Sequence, residues 1–320
     1  MLSMVTVVLP VFAIILAGFG ARKVGVLGPH ASLDLNRYVS YLALPALLFD
    51  VMAGADWGNL DLMEFVAIFA LSSTVIYGVT VVLCLFARNN LSDASVDGLG
   101  AAYSNTGYMG IPLCLLVLGT DSLPAVTLAA VATTVVLFAI AIVLVEAGRQ
   151  TQPRGVAIVL TVGGSLIRNP LIIAPLLGGI WAAAGLPMPM ALDSFLDLLG
   201  ASAAPCALVS LGLFFADSSK ESTGRIWSKA ALLSTGKLLV HPALTWVLAM
   251  FFGLPPFLAG IAVLLSALPT GTGPFMLAEL YGRETVTTSS AVMLSTLVSL
   301  VTITFLLYWG GYAELEIATR

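Results

Sequence analysis

Charge is what this sequence has least of. Its 13 Lys and Arg and 17 Asp and Glu amount to 9% of 320 residues, with a formal net charge of −4. A soluble domain carries roughly 25% charged residues, so most of this chain is not water-facing surface. There is no basic run and no Gly-rich phosphate cradle, which argues against nucleic acid and nucleotides as partners. Histidine is almost missing, with only His30 and His241. No nucleophile with a base and no set of metal ligands can be assembled from so few, so neither an enzyme nor a bound cofactor or metal is expected. Cys84, Cys114 and Cys206 stand apart from one another in apolar segments. They suggest packing rather than a disulfide framework or a metal cluster. No basic residue precedes the first apolar stretch, whereas Arg22 and Lys23 follow it. That order is the reverse of a secretory signal, so the first segment is expected to persist as a helix.

What is abundant is apolar: 59% of residues are hydrophobic, and the mean hydropathy is +1.04. About 20 mostly apolar residues cross a bilayer as a helix. Ten runs of that size, separated by polar breaks, lie at 3–21, 33–53, 62–87, 96–119, 123–147, 169–186, 191–216, 227–253, 256–282 and 286–309. The stretch 155–168 is too short for a further span and reads as an interfacial helix. Assigning the loops alternately to two sides collects Arg22, Lys23, Arg88, Arg149, Arg154, Arg168, Lys220, Arg225, Lys229 and Arg283 on one side, with Arg37 entering from it. The other side keeps Arg320. The excess marks the cytoplasm and places both termini outside it, in an inner membrane crossed many times.

The two halves repeat their punctuation at an offset of about 160 to 165 residues. Pro10 with Gly20 answers to Pro175 with Gly185, Pro45 to Pro205, and the surroundings of Pro112 to those of Pro274. The chain therefore divides into a first repeat at 1–147, a cytoplasmic linker at 148–168 and a second repeat at 169–320. Five spans per half is an odd number, so the second repeat must run inverted, as in alternating-access transporters. The fold expected is an all-α membrane protein of two inverted five-helix repeats.

The fourth span carries Asn105, Thr106, Gly107, Gly110 and Pro112 at its middle, and the ninth carries Pro269, Thr270, Gly271, Thr272, Gly273 and Pro274. Proline removes a donor and clashes with the preceding turn, and glycine eases non-helical backbone, so both helices should break near the bilayer midplane. Isolated proline kinks are the alternative. Unpaired backbone costs several kcal/mol per group in hydrocarbon, so paired breaks point to one central, protein-lined site. Half-helix N-termini suit a carboxylate there, and Asn105 adds a neutral donor.

Lys237 falls mid-span, where a charge costs about 2.5 to 3.5 kcal/mol. Its ammonium either balances an anionic substrate, binds unwound carbonyls or snorkels to an interface. His241 precedes Pro242, which should bias it away from the helical region. It either carries a proton or caps a local break. Asp50, Asp193 and Asp197 near outer ends, and the pairs Glu146 with Arg149 and Glu279 with Arg283 at inner ends, read as interface solvation.

Taken together, these residues resemble those of the auxin efflux carrier family, which includes plant exporters and bacterial permeases for malate or malonate. The resemblance rests on Asn105 and Thr106 through Met109, Gly110, Ile111, Pro112 and Leu113, and on Ala267, Leu268 and Pro269 with Gly271, Pro274, Phe275, Ala278 and Tyr281. Arg168 to Pro170, Leu35 to Arg37 with Pro45, and Ser210 to Phe214 add to it. It implies a ten-helix fold like that of bile-acid symporters, with spans 4 and 9 crossing at their breaks beside the substrate. It also implies a scaffold of spans 1, 2, 6 and 7 that makes a homodimer, against which the other helices move like an elevator. Asn105 would stand at the family's substrate-contacting asparagine. The implied cargo is a small organic anion such as malonate, malate or an auxin-like acid; a non-transporting sensor or a channel on the same fold is the alternative. Two departures are visible. Only residues 148–168 stand where plant members have a long cytoplasmic loop, and Thr270 stands where plant members carry a glutamine.

Overall fold

Backbone surrounded by lipid has no water to bond, so it must satisfy its own amides and carbonyls in helices or closed barrels. Every regular element among the described residues is helical. The computed structural model describes residues 2–54, 60–87, 89–149, 170–218 and 224–309. In chain order the α-helices are α1 (Leu2–Lys23), α2 (Ala31–Tyr38), α3 (Leu44–Ala53), α4 (Leu60–Phe86), α5 (Leu91–Ala102), α6 (Ile111–Leu118), α7 (Leu123–Ala132), α8 (Phe138–Arg149), α9 (Pro170–Ala183), α10 (Met190–Ala201), α11 (Ala203–Ser218), α12 (Gly224–Thr235), α13 (His241–Phe251), α14 (Pro256–Ser266), α15 (Gly273–Leu280) and α16 (Thr285–Trp309). Among the described residues, five stretches are long and apolar enough to cross a membrane: Leu62–Phe86, Pro124–Arg149, Met190–Ala216, Gly224–Phe251 and Thr285–Tyr308. Large apolar side chains such as Leu83, Phe86, Leu198, Phe251 and Phe305 stand exposed on these helices. In water such a belt would be an aggregation surface; in lipid it is the solvated face. The expected interfacial helix at 155–168 lies outside the described residues.

Proline explains three of the four π turns among the described residues; the fourth, Thr133–Leu137, has no proline after it. Val39–Ala43, Thr106–Gly110 and Gly236–Val240 are π-helical turns, and each ends two residues before a proline: Pro45, Pro112 and Pro242. A proline ring collides with the carbonyl four residues back, and a wider turn carries that carbonyl away. The expectation for His241 needs correction here. It keeps helical dihedrals (φ −61°, ψ −53°), and its N–H donates to the Gly236 carbonyl five residues back. The π turn absorbs the strain that would otherwise have expelled the residue before Pro242 from the helical region.

Two close helix contacts are made through glycine. A Cβ at Gly18 of α1 would run into the Val209 carbonyl of α11, and one at Gly178 of α9 into the Phe49 carbonyl of α3. Small residues let backbones approach in membranes, where dispersion rather than hydrophobicity holds helices together. The spacing is shared, since 160 positions separate Gly18 from Gly178 and Phe49 from Val209.

At the polar ends, Arg149 pairs with Glu146 at 3.8 Å, in keeping with their helical spacing. Glu279 and Arg283 do not form the other expected pair. Helix α15 stops at Leu280 and Gly282 turns the chain with φ +61°, so the Arg283 Nε donates instead to Asp93 Oδ1 of α5 at 2.7 Å. A left-handed residue between two charges breaks the helical register on which their pairing depends.

Candidate functional site

The site begins where two helices stop. Helix α5 ends at Tyr103, whose backbone is extended (φ −77°, ψ 100°), and α14 ends before Ala267. The two unwound segments pair as an isolated antiparallel bridge between Ser104 and Thr270. The Asn105 N–H donates to the Pro269 carbonyl at 3.0 Å, and the Gly271 N–H donates to the Tyr103 carbonyl at 3.0 Å. Each break thus supplies the partners that the other lacks, which removes the cost of unwinding inside an apolar medium. Thr270 is fastened further: its Oγ1 donates to the Gly100 carbonyl at 2.7 Å, and its N–H donates to Ser295 Oγ at 3.1 Å.

Glycine makes this crossing possible. A Cβ on Gly271 would sit 2.8 Å from the Tyr103 ring, and one on Gly273 would sit 2.7 Å from the Phe138 ring. Those two rings are themselves packed edge to face at 5.2 Å. After the break, the Met109 and Gly110 N–H groups both donate to the Asn105 carbonyl, at 3.1 and 3.0 Å. The Thr106–Gly110 turn and α6 therefore start directly behind Asn105; the Thr106 N–H donates to the Ser104 carbonyl at 2.8 Å, and the next amide, that of Gly107, is left at the break.

A cavity of about 180 Å³ opens at the crossing. Its polar wall comes from the break and from α7 with the π turn that follows it: Tyr103, Ser104, Asn105, Thr106, Thr127, Thr134 and Thr272. The lining from the other helices is apolar or small: Leu44, Leu47 and Leu48 of α3 and Gly200 and Ala201 of α10, whereas Val131 lies on α7 between Thr127 and Thr134. No Lys, Arg, His, Asp or Glu stands among the described lining residues. Asn105 is 5% exposed, and no hydrogen bond of its side-chain amide occurs among the described residues. Ser104 Oγ is buried and also lacks a partner. Buried polar groups are rarely left so in native structures, and a ligand is one way to satisfy them.

Of the residues singled out from sequence, Asn105, Thr106, Gly107 and Thr272 line this cavity. Thr270, Gly271, Gly273 and Pro269 lie at the crossing itself, Gly110 packs against Leu265 and Leu268, Pro112 is the second residue of α6, and Pro274 is in the first turn of α15. Lys237 and His241 lie elsewhere. Lys237 is fully buried and its ammonium donates to the Ser266 carbonyl, at the C-terminal end of α14. A cation is favoured there by the helix dipole. His241 Nε2 lies 3.2 Å from Ser73 Oγ, its ring stacks 6.2 Å from Phe69, and its Nδ1 has no partner.

Sequence reasoning passed over Ser104, Tyr103, Thr127 and Thr134. The last two had a legible signal, since Thr127, Val131 and Thr134 are spaced to share one helical face. It also passed over Asp97, which is buried in α5 and pairs with Lys229 of α12 at 2.7 Å.

The comparisons with known proteins agree with one another. The chain is 29% identical over 303 residues to a Rhizobium meliloti protein named "Putative malonate transporter", covering 94% of each chain. It is 31% identical over 159 residues to the probable auxin efflux carrier component 1b of Oryza sativa, covering 48% of this chain and 28% of the plant protein. It is 25% identical over 305 residues to the lysosomal cholesterol signaling protein of Mus musculus, covering 90% of this chain and 35% of the mouse protein. The family model described as membrane transport protein matches residues 3–307, so the chain belongs to that family, the auxin efflux carriers.

Proposed function

We propose that the protein is a secondary transporter that carries a small organic anion across the inner membrane by alternating access. The observation that carries this reading is the small cavity at the crossing of two broken helices, lined by an Asn105 side chain that makes no hydrogen bond among the described residues. About 180 Å³ falls below the roughly 300–1,000 Å³ of sites for drug-sized ligands, so a short acid is the fitting cargo. The name of the Rhizobium relative supports malonate or a similar acid. Asn105 would donate to a carboxylate at the start of the helix behind it, with Thr106, Gly107 and Thr272 beside it.

The architecture proposed is ten spans in two inverted five-helix repeats. The matched approaches of Gly18 to Val209 and Gly178 to Phe49 support it, as does the reciprocal exchange of hydrogen bonds across Ser104 and Thr270. Helices α1 to α3 and α9 to α11 would form the scaffold and the homodimer contact, and the remainder the moving unit. With both termini outside, the cavity lies in the outer half of the bilayer, between scaffold and moving unit. The cytoplasmic side is held shut by Asn36 Nδ2 donating to the Met276 carbonyl at 3.5 Å and by Phe214 packed edge to face on Phe275 at 4.9 Å. These contacts must part for inward release.

Purified protein in liposomes loaded with unlabelled malonate should accumulate labelled malonate by counterflow, because exchange requires each carrier to face both sides in turn. Binding of the acid without counterflow would favour a sensor instead; the mouse relative is named as a signaling protein.

A further inference from the structure

The cavity's lining fixes the charge it can accept. Binding one carboxylate needs donors, and the Asn105 amide and the Gly107 N–H, which has no partner among the described residues, provide them on one wall. A second carboxylate would have to face Leu44, Leu47, Leu48 and Ala201, whose side chains offer neither cation nor donor. An ionised carboxylate moved from water to such a surface without a partner is disfavoured by several kcal/mol, and ordinarily takes up a proton instead.

We infer that the site takes its substrate as a monoanion, with one ionised carboxylate at Asn105 and an uncharged remainder against Leu44, Leu47 and Leu48. A monocarboxylate would enter as it is. A short dicarboxylic acid such as malonate would enter with one carboxyl protonated. This rests on the proposed transport site and specifies the chemical class that it selects.

The test uses the purified full-length protein and three probes: malonate, its half-amide malonamate, and propionate. Malonamate copies the shape of malonate with one charge, and propionate is the monocarboxylate control. Dissociation constants measured between pH 5.5 and pH 8 should stay flat for malonamate and propionate. Malonate should bind at least about tenfold more weakly at pH 8, where its second carboxyl is ionised, than at pH 5.5, in step with its monoanion fraction. At pH 8 malonamate should outbind malonate. A shared pH response of all three probes would report the protein, so the malonate-to-malonamate ratio is the deciding quantity. Malonate binding as tightly as malonamate at pH 8 overturns the inference while leaving an anion site in place. Failure of all three probes to bind removes the site reading and the inference together.

Discussion

Lys237 separates what a buried charge does for the fold from what it does for the substrate. Its side chain is fully buried, and its ammonium is bonded to the carbonyl of Ser266 at the end of α14. Two substitutions divide the contributions. Lys237→Ala removes most of a long buried side chain and leaves a void, a change that costs about 2–5 kcal/mol for side chains of similar size. Lys237→Met keeps most of the volume and removes the charge. It loses a hydrogen bond from a charged donor, worth about 1.5–3 kcal/mol. It also relieves the cost of about 2.5–3.5 kcal/mol of holding a lysine at mid-membrane. The two nearly cancel, so Lys237→Met should match the wild type in thermal stability, and Lys237→Ala should fall well below both. If the ammonium balances the substrate, Lys237→Met should still lose at least about tenfold in malonate affinity, because the anion would then lack its compensating charge. Thermal denaturation in detergent and ligand titration on the same samples measure both quantities. Wild-type affinity in Lys237→Met, or a stability loss as large as that of Lys237→Ala, would refute the reasoning.

Other perturbations follow from the packing. Gly18→Leu and Gly178→Leu should each destabilise the protein strongly and to a similar extent, because both place a side chain against a facing carbonyl; a mild effect in one of them, read by thermal denaturation, would argue against matched repeats. Cysteines introduced at Asn59 and Met188 should label from outside intact cells and one at Ser218 should not. Labelling at Ser218 would invert the assigned sidedness.

The breaks were legible because proline and glycine act locally. Pro112, Gly271 and Pro274 disfavour continuous helix wherever they stand, and Asn105 was visible as a polar residue beside such a break. The opposite wall was not legible. Leu44 and Gly200 reach the cavity through contacts between segments far apart in sequence, and one apolar residue in a span looks like any other. His241 was misjudged for a local reason: a proline clash can be relieved by widening the turn, and sequence does not say which relief is used. Arg283 was misassigned because the positive φ of Gly282 redirects the chain toward Asp93. Asp97 was overlooked because its partner, Lys229, sits on another helix and reads by itself as a cytoplasmic loop charge.

The measurement that bears most directly on the proposed site is malonate titration of wild-type protein, Asn105→Ala and Asn105→Asp at matched folding. If the Asn105 amide donates to a substrate carboxylate, Asn105→Ala loses a charge-assisted hydrogen bond of about 1.5–3 kcal/mol and affinity drops roughly ten- to a hundredfold. Asn105→Asp should be weaker still, because it sets a carboxylate against an anion. A residue that only capped the break would show the reverse order, since aspartate accepts from free amides at a helix start as well as asparagine does. Affinity of Asn105→Asp equal to or above that of Asn105→Ala would contradict the account.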